Sequence, residues 1–168
     1  MNTLKNELKL YIKNNLVNEE TFRKRVFSKS KEMMSFEGEY SYVGSNIKDY
    51  IESHSDYSDF QTMLFKLIDE RNLKDSDVYN KVHLDRRLFS KIRSDKNYHP
   101  SKETVLLLAI ALELSEKELD ELLDSASYSL PKNNEYDLII RFCFINKIFK
   151  LSNINELLDE YHCKLFSY

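Results

Sequence analysis

Apolar residues recur along this chain at three- and four-residue intervals, the spacing that gathers them on one face of an α-helix. Leu4, Leu8, Tyr11 and Ile12 predict a helix over 3–16, and Phe22, Val26, Phe27, Met33 and Met34 a second over 19–34. Between Gly38 and Gly44 the alternation of Tyr and Val predicts a short extended piece; 46–54 then reads as a short helix ahead of a polar joint at 55–58. From Asp59 the pattern tightens, and Phe60, Leu64, Leu67 and Ile68 predict a helix over 60–71 capped by Asp59. A short helix over 75–82, the joint His83-Leu84-Asp85 and a helix over 86–94 capped by Asp85 follow. Ser101 opens the strongly apolar KETVLLLAIALEL, which must sit centrally, and Ser115 with Glu118 forms a capping box for EKELDELLDSA. Past Pro131, the run Leu138, Ile139, Phe142, Phe144, Ile145, Ile148 and Phe149 predicts a buried helix over 136–149. Ser152 or Asn153 caps a last helix through Tyr161, with Ile154, Leu157 and Leu158 inward.

Composition agrees with this reading. Two glycines and two prolines in 168 residues leave few turn-formers, so short loops between helices are expected and the fold class is all-α. A chain of this length supports one good core with helical additions. Three parts are read: an N-terminal helical extension at 1–58, a five-helix domain at 59–130, and a C-terminal helical extension at 131–168 that packs on the domain or on a partner. No internal repeat, low-complexity tract or glycine-rich phosphate loop is visible.

Charge changes the picture locally rather than globally. A net charge of -3 argues against a protein that coats nucleic acid through overall basicity. Residues 83–96, however, carry Arg86, Arg87, Lys91, Arg93 and Lys96 against Asp85 and Asp95, net +3, while 112–124 carry six acids against one lysine, net -5. Such asymmetry orients a molecule on a polyanion, with each patch acting over a screening length of about 8 Å. The same residues also fit an ordinary solvated helix face.

The stretch LKDSDVYNKVHLDRRLFSKIRSDKNYHPSKETVLLLAIALELSEKELDELL resembles the helix-turn-helix domain of the phage-repressor, or xenobiotic-response-element (XRE, lambda-repressor-like), family. The likeness is carried by V-x-x-L-D-x-x-x-F-S-K-I, by the Pro-Ser that opens the next helix, and by L-A-x-A-L-x-L-S-x-x-x-L. It implies that helix 86–94 is a recognition helix in the major groove of double-stranded DNA. Arg86, Arg87, Ser90, Lys91, Arg93 and Lys96 would then be groove or phosphate residues, and the protein a transcription regulator working as a homodimer. Tyr79 stands where the family pattern has a small residue, and His83 where it has a glycine, which implies a wider or rotated helix pair. Lys74 stands where a Ser or Thr cap is usual. More loosely, 47–166 resembles an uncharacterised helical module appended behind bacterial macro domains, which implies docking or sensing. On that reading the protein is an adaptor, phage-defence or antitoxin-like component gripping a protein partner through 1–58 or 136–161.

Other chemistry is declined. Cys143 and Cys163 form no spaced framework and are expected as free thiols in a reducing cytoplasm. His162 beside Cys163 lacks the further ligands a zinc site needs, so no metal and no cofactor is expected. Cys143 inside FCFIN reads as a core residue rather than a nucleophile, and no enzyme activity is expected. No run approaches the about 18 apolar residues of a membrane span, and the N-terminus lacks the apolar core of a signal peptide, so a soluble cytoplasmic protein without a membrane role is expected. Tyr98 and His99 either touch a sugar-phosphate backbone or plug their loop against the core.

Overall fold

The computed structural model describes residues 2–17 and 59–167; the helices expected at 19–34 and 46–54 and the extended piece between them lie outside the described residues. Among the described residues the fold is all-α, with eight helices and no strand: α1 (Asn2–Asn15), α2 (Phe60–Glu70), α3 (Asp75–Lys81), α4 (Arg86–Ser94), α5 (Lys102–Ala111), α6 (Glu116–Ser125), α7 (Glu135–Ile145) and α8 (Leu151–Glu160). The caps foreseen at four of them are made. Asp59 accepts from the Thr62 N–H at 2.9 Å, Asp85 from the Arg87 and Leu88 N–H groups, Ser101 from Thr104, and Ser115 with Glu118 closes a capping box. Each satisfies N–H groups that a helix start leaves open, worth about 1 kcal/mol per cap. Lys74 has no acceptor to offer, so the start of α3 relies on the Asp77 carboxylate accepting from the Lys74 N–H at 3.3 Å.

The core is centred on α5, in which every residue from Thr104 to Ala111 is buried. Leu64, Leu67 and Ile68 of α2, Val78 of α3, Phe89 and Ile92 of α4 and Leu119, Leu122 and Leu123 of α6 belong to one buried cluster with it. So do Leu8 and Ile12 of α1 and the apolar faces of α7 and α8, with α1 laid along α7. Burying a Leu or Ile side chain contributes about 1.5–3 kcal/mol, so this shared cluster welds the terminal helices to the central ones.

Helix ends are where the structure departs from the periodicity. The helix expected to run through Leu114 stops at Ala111, and the one expected to reach Phe149 stops at Ile145. In both, the apolar pattern continues past the stop because the next apolar residue closes the turn instead of extending it. Six helices end this way: Asn72, His83, Glu113, Ser127, Lys147 and His162 take φ between 50° and 58°. The next N–H, of Leu73, Leu84, Leu114, Tyr128, Ile148 and Cys163, donates to the carbonyl five residues back at 2.8–3.2 Å. This is the Schellman arrangement, usually built on glycine, here made without one. The last helix starts at Leu151 rather than at Ser152 or Asn153, because Leu151 is itself buried; its cap residue Lys150 makes no side-chain bond.

The α5–α6 and α7–α8 hairpins share a register. Ser101 and Asn134 each accept from the N–H three residues on, Leu119, Leu122 and Leu123 match Ile154, Leu157 and Leu158 in burial, and Ser127 and His162 take the same left-handed position four residues after. The repetition lies in register rather than in residue identity, which is why no repeat is visible in the sequence. No helix among the described residues is long and apolar enough to cross a membrane.

Candidate nucleic-acid interface

The α3–α4 pair is assembled from few parts. Val78 of α3 and Phe89 and Ile92 of α4 are buried, and the turn between the helices is closed by His83 at φ 54° and by the Leu84 N–H on the Tyr79 carbonyl at 2.8 Å. A histidine therefore takes the left-handed position itself, at a cost of about 1–2 kcal/mol relative to a right-handed one. Tyr79 is accommodated by lying half-buried against the Phe89 ring, with centroids 5.6 Å apart.

The C-terminal half of α4 is fastened to α2. The Gln61 side-chain amide donates to the Ile92 carbonyl at 2.9 Å and to that of Arg93, and the Phe65 ring meets Phe89 edge-on at 6.2 Å. These contacts replace the left-handed stop the other helices use and leave α4 rigid on the body.

On this helix the six residues singled out by the sequence divide by partner. Arg86, Arg87, Ser90 and Lys96 are exposed, and none has a hydrogen bond or ion pair among the described residues. Lys91 is exposed but lies over the Tyr98 ring, its ammonium 4.8 Å from the centroid. Arg93 is held: its guanidinium pairs with Asp75 of α3 at 2.5 Å and stacks on the Phe65 ring at 3.9 Å. A cleft of about 400 Å³ between α3 and α4 is lined by Lys74, Asp75, Tyr79, Arg86, Ser90 and Arg93, among others. It brings Arg86, Ser90 and Arg93 together; Arg87, Lys91 and Lys96 lie outside it. The sequence reading missed Asp75, Phe65 and Gln61 because their partners lie 18 to 32 residues away and no periodicity links them.

The neighbouring loop serves the core. Tyr98 packs partly buried, His99 meets the Tyr128 ring at 5.3 Å, and the Tyr128 hydroxyl donates to the Pro100 carbonyl at 3.0 Å. Of the two roles open for Tyr98 and His99, these contacts are those of a plug.

The acidic run on α6 is consumed internally. Glu116 and Asp120 both receive Arg141, Glu118 receives Arg71 at 2.7 Å, and Glu121 receives Lys117. Burial pushes the Glu118 carboxyl up, but hydrogen bonds from the Arg71 guanidinium and from the Ser115 N–H and hydroxyl together outweigh it and hold it below its ordinary value. Burial also pushes the Cys143 thiol up to about 12, so no thiolate nucleophile stands there at neutral pH. Both cysteines are free, and no group of three or more His, Cys, Asp or Glu among the described residues is arranged to hold a metal ion.

Compared with known proteins, the chain matches no family model, no curated protein and no solved structure.

Proposed function

We propose that this chain is a sequence-specific double-stranded DNA-binding regulator of the phage-repressor type, with α4 as its recognition helix and a two-fold dimer as its working form. The observation that carries the reading is the state of Arg86 and Arg87: two arginines at the start of a rigidly anchored helix, exposed and without an ion-pair partner among the described residues. Guanidinium groups left open in this way suit guanine acceptors and phosphate oxygens, and the first turn of such a helix is the part that enters a groove. Ser90, one turn on from Arg86 and in the same cleft, extends the surface along the helix. Arg87 and Lys96 serve as phosphate contacts, joined by Lys91 where it swings off Tyr98. The test is retention of a labelled duplex carrying the DNA upstream of the protein's own coding sequence. The R86Q/R87Q variant is expected to bind at least tenfold more weakly, with a salt dependence shallower by about 1.8 for two lost phosphate contacts. Equal retention by the variant removes α4 from the mechanism.

A second reading, a protein-interaction or adaptor module of the phage-defence or antitoxin kind, is favoured by exposed apolar side chains on the terminal elements: Leu10 of α1, Ile145 of α7, and Leu165. A pull-down from the native host that yields a stoichiometric protein partner and no nucleic acid would select it.

A further inference from the structure

Arg93 is the cation of the α3–α4 cleft that is already engaged. Its guanidinium meets the Asp75 carboxylate at 2.5 Å while its flat face lies on Phe65 at 3.9 Å. Both side chains remain accessible, 49% for Arg93 and 36% for Asp75, so the pair is open to competition from an external anion. A carboxylate at this distance offers a guanidinium the same oxygen acceptors and negative charge as a phosphodiester. Among the residues lining the cleft, Lys74, Arg86 and Arg93 face the single acid Asp75, net +2.

We propose that Asp75 is the affinity-limiting residue of this surface. It rests on the DNA reading above and goes beyond it. The Asp75 carboxylate occupies on Arg93 the place a backbone phosphate would take, and removes one cation from sequence-independent binding. Phosphate contacts strengthen binding to every duplex alike, whereas base-edge contacts discriminate. Withholding Arg93 therefore weakens the uniform part and leaves discrimination to Arg86 and Ser90, a restraint against wrong partners built from an internal anion. Phe65 keeps the guanidinium parked even as the ion pair loosens in salt, because stacking on a ring is less screened than a half-exposed pair.

The experiment needs no knowledge of the preferred sequence. The full chain, D75N, D77N, D75N/R93Q and R86Q/R87Q are titrated with a labelled random-sequence duplex across a range of salt. Asparagine is nearly isosteric with aspartate, so D75N keeps the start of α3 intact, and D77N removes the same charge from the same helix turn without touching Arg93. The expected result is a salt slope for D75N steeper by about 0.9, which is a three- to fourfold larger loss of affinity between about 50 and 200 mM salt, with tighter binding at the low end. D75N/R93Q returns to the wild-type slope, and D77N leaves it unchanged. A D75N slope equal to wild type, with binding still lost in R86Q/R87Q, overturns this inference alone. An equal gain in D77N also overturns it, since bulk charge would then be the cause. Absence of duplex binding by the wild type and D75N together overturns the DNA reading, and the inference with it.

Discussion

The arginines of this molecule meet two fates. In the body, Arg141 bridges Asp120 and Glu116 of α6, and Arg71 reaches Glu118, the Leu112 carbonyl and the Leu67 carbonyl. On α4, Arg86 and Arg87 have no such partners among the described residues. The same side chain is thus a cross-brace in one region and an unsatisfied donor array in the other. Composition cannot separate the two, since the helix-sized clusters of charge look alike in the sequence; what separates them is whether an acid from a distant segment arrives. Arg93 sits between the extremes, with Asp75 arriving from the neighbouring helix.

The contrast breaks most visibly where a brace is removed from around a buried acid. Asp137 is 3% exposed and is held by Lys102 at 2.6 Å and by the Asn134 amide at 2.7 Å. K102M leaves that carboxylate without its cation and is expected to lower stability by about 3 kcal/mol in urea unfolding. R141A is expected to lower it by about 2 kcal/mol, less because Glu116 and Asp120 are nearly half exposed and can return to water. A small effect for both would mean that the braces are ornaments and the two arginine classes differ in nothing but location.

Acid titration sharpens the same point. The Glu118 carboxyl is depressed in the folded protein, so its contribution is fully present above the ordinary glutamate value of about 4.3 and is lost as pH falls through the lower folded value. Wild-type stability should therefore fall more steeply with acidification than that of E118Q, measured as urea midpoints across the acid range. Parallel pH profiles would detach Glu118 from the Arg71 brace. The smallest stability effect belongs to the α4 surface: R86Q/R87Q should shift unfolding by no more than about 0.5 kcal/mol, since neither side chain is bonded within the body. A larger loss in thermal melts would mean that these arginines support the fold after all.

Much of the helical layout was legible before any coordinates. Local signals did this work: Asp59, Asp85, Ser101 and Ser115 announce the starts of α2, α4, α5 and α6, and the 3.6-residue pattern gives their buried faces. The stops of α5 and α7 were not legible, because Glu113 and Lys147 carry no mark of a left-handed residue and the apolar followers Leu114 and Ile148 imitate continuing helix. Nor was the start of α8, which lacks a capping side chain. At the candidate interface, the exposure of Arg86 and Arg87 followed from their place opposite Phe89 and Ile92, but the capture of Arg93 by Asp75 did not. Pairs that meet only after folding leave no trace in the order of residues.

The glycine-free helix stops reach beyond the fold. A protease needs roughly ten residues of extended backbone to cleave, and the commonest route to such a segment is a loop that opens without unfolding its neighbours. Here six consecutive-looking gaps are each shut by an amide bonded five residues back and an apolar side chain. Trypsin-sensitive side chains such as Lys147 therefore sit on the surface of a backbone that offers nothing to grip, and in a cell the lifetime of this unit would be governed by its global opening rather than by its many exposed lysines.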